Sequence, residues 1–296
     1  MHDHENHGRA LVMGLARLEK TPDGVGFLVS GQPWTWRGTL TWPLYGKFLN
    51  EGENVVRSVL RNRRDVGANT VCCAGMLSWG SPFTPAHPQY WSGLRRFVEL
   101  AEQELLRVCF VVFCDTRSIM PDLATQRAHW ERFYVTLGDK TNATLVLTNQ
   151  PGHPSQAIDV MAFAPPPSVA GFPPLLAARH NPLEDQRPIT PAWAFSAFCG
   201  KRNDPNWFME AGGLSMWTVV NDLQGTHGVT VFFEPPPCGR QAQWTDPGKW
   251  RQLARSLCFK GTAGGNFYSD QDARAEMYAG VTHACAVEYL GNIPNQ

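Results

Sequence analysis

The chain has 296 residues, 43% of them hydrophobic and 11 of them Trp, which suits a globular protein with a sizeable core and excludes a disordered one. Lys plus Arg (26) balance Asp plus Glu (26), so no net charge steers the molecule toward nucleic acid or an anionic membrane. No apolar run approaches the roughly 18 residues of a membrane span.

The polar start, Met1-His-Asp-His-Glu-Asn-His7, is no secretory signal, so the chain as written reads as cytoplasmic, or as released or assembled by a non-Sec route. Eight cysteines are scattered at 72, 73, 109, 114, 199, 238, 258 and 285 without a C-x-x-C spacing. They read as reduced core thiols, not as metal ligands or a disulfide framework. His2, His4 and His7 lie on an expected disordered tail, residues 1–8, where a metal would find no fixed geometry. No metal and no cofactor is expected.

Residues 9–296 read as one domain. Ala10 to Ser30, weakly patterned around an Asp23-Gly24 turn, suits a small hairpin plugging one end of the fold, and Thr39 to Trp42 a first strand. From Glu53, the residues Val55, Val56, Val59 and Leu60 form one apolar stripe of a helix, and the basic run Arg57 to Arg64 its solvated face. Thr70 to Ala74 is a short buried strand, and a long loop with Trp79 follows. Trp91, Leu94, Phe97, Val98, Ala101 and Leu105 mark an amphipathic helix. Val108 to Phe113 is the clearest strand, ending in Cys114-Asp115.

Gln126 to Leu137 reads as a helix and Thr144 to Leu147 as a strand ending at Asn149-Gln150-Pro151. The proline-rich residues 151–174 form an irregular excursion. Leu175 to Ala178 and Trp193 to Phe198 suit further strands, Trp207 to Leu223 a bent helix. Next comes Gly228-Val-Thr-Val-Phe-Phe-Glu234-Pro-Pro-Pro237. Its apolar, β-branched and aromatic run reads as a strand buried on both faces, and the prolines stop it with Glu234 at the C-terminal end. A helix around Trp250, Leu253, Ala254 and Leu257, a strand over Cys258 to Thr262 and a closing helix over Asp272 to Tyr289 complete the chain.

About eight strands alternating with helices predict a single (β/α)₈ barrel, a TIM barrel, with its site on the C-terminal face. A doubly wound open sheet is the alternative, but its usual G-x-G-x-x-G after the first strand is missing from the sequence. The predicted strand ends carry Asp115, Asn149-Gln150, Arg202 and Glu234. Six of the tryptophans lie in or near loops, with Trp42, Trp79 and Trp207 best placed to line a cleft; at least half of the eleven are expected in the core. One carboxylate, amide and guanidinium donors and several indoles suit a neutral polyhydroxylated ligand, whose C–H faces stack on aromatic rings.

In the order of its motifs the chain resembles the cellulase-like (β/α)₈ glycoside hydrolases, which place an acid/base Glu after strand four and a nucleophilic Glu after strand seven. The resemblance rests on Gly67-Ala-Asn-Thr70, Asn149-Gln150, Arg202-Asn-Asp-Pro-Asn-Trp207, Phe233-Glu234-Pro235 and Gly261-Thr-Ala-Gly-Gly-Asn266. It implies Glu234 as nucleophile, Asn149 as partner of the sugar 2-hydroxyl, and Gln150 where the acid/base Glu belongs. Cys199 stands near a position often held by His before the arginine that Arg202 matches, and Tyr268 takes the place of another His. A glutamine amide cannot release a proton, and a retaining reaction needs two carboxyl groups roughly 5–5.5 Å apart. Two readings remain open. One is a retaining hydrolase acting on a β-linked polysaccharide or oligosaccharide with a degenerate or substituted acid (Asp115, Glu210 or His153). The other is an inactive barrel serving as a carbohydrate-binding, attachment or structural subunit of a larger assembly such as a phage particle.

Overall fold

The computed structural model describes residues 14–182, 193–199, 230–234, 238, 242–258 and 263–294. These form an α/β fold around a curled parallel sheet. The order in the chain is β1 (Leu18–Lys20), β2 (Phe27–Val29), β3 (Gln32–Trp34), β4 (Trp36–Leu40), α1 (Leu44–Glu51), α2 (Glu53–Asp65), β5 (Thr70–Ala74) and α3 (Tyr90–Gln103). Then come β6 (Arg107–Phe113), α4 (Thr116–Ile119), α5 (Leu123–Leu137), β7 (Ala143–Thr148), β8 (Ala177–Pro182) and β9 (Phe195–Cys199). The last are β10 (Thr230–Glu234), α6 (Pro247–Cys258), β11 (Gly264–Phe267) and α7 (Gly280–Asn292).

The strand order is β10-β11-β4-β5-β6-β7-β8-β9, all neighbours parallel, and the β9–β10 pairing joins its two ends. Because every strand points the same way, all eight C-terminal ends open on one face. β5, β6 and β7 are buried along their whole length, which explains their largely apolar sequences. β1, β2 and β3 form a separate antiparallel sheet. Its Phe27 packs on Trp36 at the start of β4, and Trp34 lies under the guanidinium of Arg107 at the start of β6. The small sheet thus sits at the N-terminal ends of the strands, in keeping with the expected plug and away from the site.

Glycine sets the β4–β11 seam. A Cβ on Gly264, whose φ is +116°, would lie 1.9 Å from the carbonyl oxygen of Trp36, and one on Gly38 would lie 1.8 Å from Asn266 Oδ1. That oxygen instead accepts the indole N–H of Trp36 at 2.8 Å. The close approach corrects the sequence reading: the strand runs over Gly264–Phe267, and Cys258 ends α6, because a Gly-Gly pair that looks like a loop is what lets the two backbones touch.

Other boundaries move too. The first barrel strand is Trp36–Leu40, leaving Thr41 and Trp42 beyond its end. Helix α1 was not foreseen; it starts after Pro43 and presses Gly46 against the carbonyl of Ser81, where a Cβ would come within 2.3 Å. β8 reaches further, to Pro182, through a polar run that hides it. The closing helix begins only at Gly280, a short 3₁₀ turn taking Asp272–Arg274. The basic run of α2 is not simply a solvated face: Arg63 is fully buried, and Arg57, Arg61 and Arg64 converge on Glu104. The expected Trp207 to Leu223 helix lies outside the described residues. Cys72, Cys73, Cys109, Cys114, Cys238 and Cys285 are free and buried. No helix among the described residues is long and apolar enough to cross a membrane.

Candidate functional site

A cavity of about 140 Å³ opens where four consecutive strands end. Trp42 enters it two residues after β4, and Leu77 and Trp79 from the loop after β5. Cys114 and Asp115 follow β6 directly, as Asn149 and Gln150 follow β7. The far wall is the turn His153 to Gln156. Five of the nine residues expected at a site from sequence, Trp42, Trp79, Asp115, Asn149 and Gln150, therefore line one space.

Local backbone geometry aims two of them. Asp115 and Gln150 both have positive φ, 53° and 37°, immediately beyond β6 and β7. Left-handed backbone at a non-glycine residue costs about 1–2 kcal/mol, and such strain gathers at functional sites. Asp115 is nearly buried, 7% exposed, and its Oδ2 accepts the backbone N–H of Ser78 at 3.0 Å and the Ser78 hydroxyl at 2.7 Å. Its Oδ1 has no hydrogen-bond donor among the described residues. The neighbouring thiol of Cys114 is driven well up, by burial first and then by the charge of Asp115, so it forms an apolar wall and no nucleophile.

The Asn149 Oδ1 is buried with no hydrogen-bond partner among the described residues. Leaving such an acceptor unpaired costs about 1–3 kcal/mol, which marks a place where a ligand donor fits. The opposite turn is held by Arg117, which donates from Nε to the Pro154 carbonyl (2.8 Å) and from Nη2 to that of Gln156 (3.1 Å). Gln156 in turn accepts from the Thr116 hydroxyl at 2.9 Å and donates to the Asn149 carbonyl at 3.0 Å. Within this turn the Ser155 N–H donates to His153 Nδ1 at 3.2 Å. The Ser155 hydroxyl lies 2.9 Å from the same nitrogen.

Of the remaining expected residues, Tyr268 alone has a described side chain, and it does not line this cavity. Tyr268 follows β11, is 7% exposed, and its carbonyl accepts from Cys238 N–H at 2.9 Å. The backbone of Glu234 ends β10 in register with Cys199 of β9; its side chain, and all of Arg202, Trp207 and Glu210, lie outside the described residues. Among the described residues no group of three or more His, Cys, Asp or Glu is placed to hold a metal. Sequence reading missed Ser78, Ser155 and Gln156, which orient other site residues; the adjacency of Ser78 to Trp79 was the one signal available for it.

Neither a protein-family model nor a curated protein sequence matches the chain. Solved structures do. A glycoside hydrolase is similar with a TM-score of 0.64 and 14% identity, over 91% of this chain and 69% of that one. A glycoside hydrolase family 5 protein from Bacteroides vulgatus ATCC 8482 gives 0.63 and 14%, over 87% of this chain and 63% of its own. The family 5 mannosidase from Rhizomucor miehei gives 0.57 and 11%, over 94% and 98%. At these identities the likeness is one of fold. The chain shares the fold of these glycoside hydrolases.

Proposed function

We propose that residues 9–296 form one complete (β/α)₈ barrel whose C-terminal mouth holds a β-linked glycan. Glu234 is the nucleophile of a retaining reaction, and Gln150 occupies the place of its acid/base. The carrying observation is the cavity at four successive strand ends, walled by Trp42 and Trp79 and bearing Asp115, Asn149 and Gln150. Arg202, Trp207 and Tyr268 extend the sugar contacts on the β9 to β11 side. The known structures of this fold supply the same ligand class: a variant of the Rhizomucor miehei mannosidase is described in complex with mannosyl-fructose.

In this reading the indoles stack on the sugar's C–H face, Asn149 bonds the 2-hydroxyl, and Glu234 attacks the anomeric carbon from the other side of the mouth. Gln150 donates a hydrogen bond to the glycosidic oxygen but no proton, so departure of an ordinary sugar leaving group is slow. No metal or cofactor takes part.

A dinitrophenyl β-glycoside tests this directly, because its leaving group departs as a stabilised anion and needs little protonation. The expected result is a burst of dinitrophenolate followed by near-zero turnover, as the glycosyl-enzyme lacks a base for its hydrolysis. Azide, which needs no general base, releases glycosyl azide and restarts turnover. Glycan binding with neither burst nor azide effect supports the second reading, an inactive barrel used for glycan attachment or as a structural subunit; the Gln150 amide is the observation in its favour.

A further inference from the structure

The cavity contains a carboxylate that pairs with no cation among the described residues. Asp115 is a nearly buried carboxylate whose described partners are the two Ser78 donors on Oδ2. Among the described residues it has no cationic partner. Arg117, two residues along the chain, is turned away onto the carbonyls of Pro154 and Gln156. His153 lines the same cavity, with its Nδ1 3.2 Å from the Ser155 N–H and 2.9 Å from the Ser155 hydroxyl. Two indoles, Trp42 and Trp79, line the same cavity. A nearly buried carboxylate with no counter-charge among the described residues, in a cavity also lined by indoles, suits a cation by direct pairing and through the ring quadrupoles. The buried, unpartnered Asn149 Oδ1 adds a second acceptor on the same cavity wall.

We propose that the cavity selects an amino-sugar unit carrying a free ammonium group, held by Asp115 Oδ1, within the β-linked glycan. This rests on the glycan reading above and narrows its substrate class. A protonated primary amine has three donors and no acceptor, which matches a site rich in acceptors. N-acetylation removes that charge and adds bulk, so an N-acetylated or neutral glycan loses the interaction with Asp115.

Isothermal titration of the full chain with three tetrasaccharides provides the test: β-1,4-linked glucosamine, its fully N-acetylated form, and β-1,4-linked mannose, at a pH where the free amines are protonated. The glucosamine tetramer is expected to bind at least about tenfold more tightly than the other two. That preference should shrink with added salt, and Asp115→Asn should bring the ratio close to one. Equal binding of all three by the native protein overturns the amino-sugar proposal and leaves the glycan reading standing. Binding of none of them removes both. Binding of putrescine with no binding of any tetrasaccharide removes the sugar reading and the amino-sugar proposal with it. A preference that survives Asp115→Asn also overturns the proposal. If Asp115→Asn fails to fold, the native comparison and its salt dependence still decide.

Discussion

Arg63 and Asp272 are both fully buried and meet at 3.1 Å, tying helix α2 to the turn that follows β11. The carboxylate is well supplied with donors: Thr41 (2.7 Å) and Tyr278 (2.8 Å) bond Oδ1, while Ser269 (2.9 Å) and the same tyrosine hydroxyl bond Oδ2. The guanidinium lies 3.5 Å over the Tyr278 ring and donates to the Glu276 carbonyl. Thr41 is the residue before Trp42, so the network fixes the chain from behind at the point where β4 hands over to the cavity.

Removing one partner of this pair leaves a charge buried without compensation. Asp272→Asn is expected to cost about 3–5 kcal/mol, read as a lower denaturant midpoint. Replacing both residues, Arg63→Met with Asp272→Leu, should recover much of that loss. A single variant that unfolds within about 1 kcal/mol of the native protein would show the pair to be unimportant.

At the β4–β11 seam, Gly264→Ala combines an unfavourable φ with a contact to the Trp36 carbonyl that no real Cβ makes. The backbone term alone is of order 1–3 kcal/mol. The variant should therefore lose several kcal/mol of stability or fail to fold, whereas Gly152→Ala, with nothing within 4 Å of its Cβ, should be near neutral. Thermal melts of the two variants side by side measure the difference.

Buried strands were legible because their sequences are largely apolar runs: β5, β6 and β7 fall within a residue or so of where Thr70, Val108 and Thr144 put them. β11 was misplaced for the opposite reason, since its glycines carry no hydrophobic signal and matter through what they let approach. That Asp115, Asn149 and Gln150 lie at strand ends and line one cavity was readable because the strands they follow were clear. Ser78 and the 153–156 turn were not, because their role depends on long-range hydrogen bonds that join loops from different strands. Arg63 misled in the same way: one basic residue in a basic run looks solvated until Asp272, from the far end of the chain, folds against it.

His129 gives the stability a definite pH dependence. It is 5% exposed among Trp91, Phe113 and Phe133, with Nε2 3.4 Å from the Tyr90 hydroxyl. Burial, and secondarily the charge of Arg132, depress its pKa from 6.5 to about 3. The unfolded chain therefore binds a proton that the folded one refuses between those values. Stability is undiminished by this group above about pH 6.5 and falls as pH drops toward about 3, by on the order of 4 kcal/mol over the window. Urea titrations across that range should show the slope, and His129→Gln should flatten it; an unchanged slope would assign it to other groups.

Trp79 is 41% exposed in the cavity wall, while Trp42 is 3% exposed. An exposed indole can be removed with little effect on folding, whereas Trp42→Ala would also open the core. Trp79→Ala is thus expected to weaken glycan binding by about 0.5–1.5 kcal/mol, or up to roughly tenfold, with a near-native melting temperature. Intrinsic fluorescence should change on ligand addition in the native protein, and that response should diminish in the variant. An undiminished affinity would take Trp79 out of the site.

The sharpest prediction concerns Gln150, which follows β7 with positive φ, on the strand separated from β10 by β8 and β9. If the barrel lacks only its proton donor, a single atom change should restore it. Gln150→Glu swaps an amide nitrogen for an oxygen, keeps the shape, and supplies a carboxyl that can protonate the leaving group and then activate water. Hydrolysis of natural β-linked glycans should rise by some part of the ~10²–10⁴ that a general acid contributes. The gain should be largest for poor leaving groups and small for the first step with dinitrophenyl glycosides, whose departure needs no acid. The burst expected with those substrates should give way to steady turnover, because the same carboxyl now serves as base. Gln150→Glu combined with Glu234→Gln should be inactive on every substrate, which separates restored acid catalysis from a gain in binding. Equal gains for all leaving groups, or activity in the double variant, would mean that proton transfer from the introduced carboxyl is not the missing step, and the reading of Glu234 as nucleophile would fall with it.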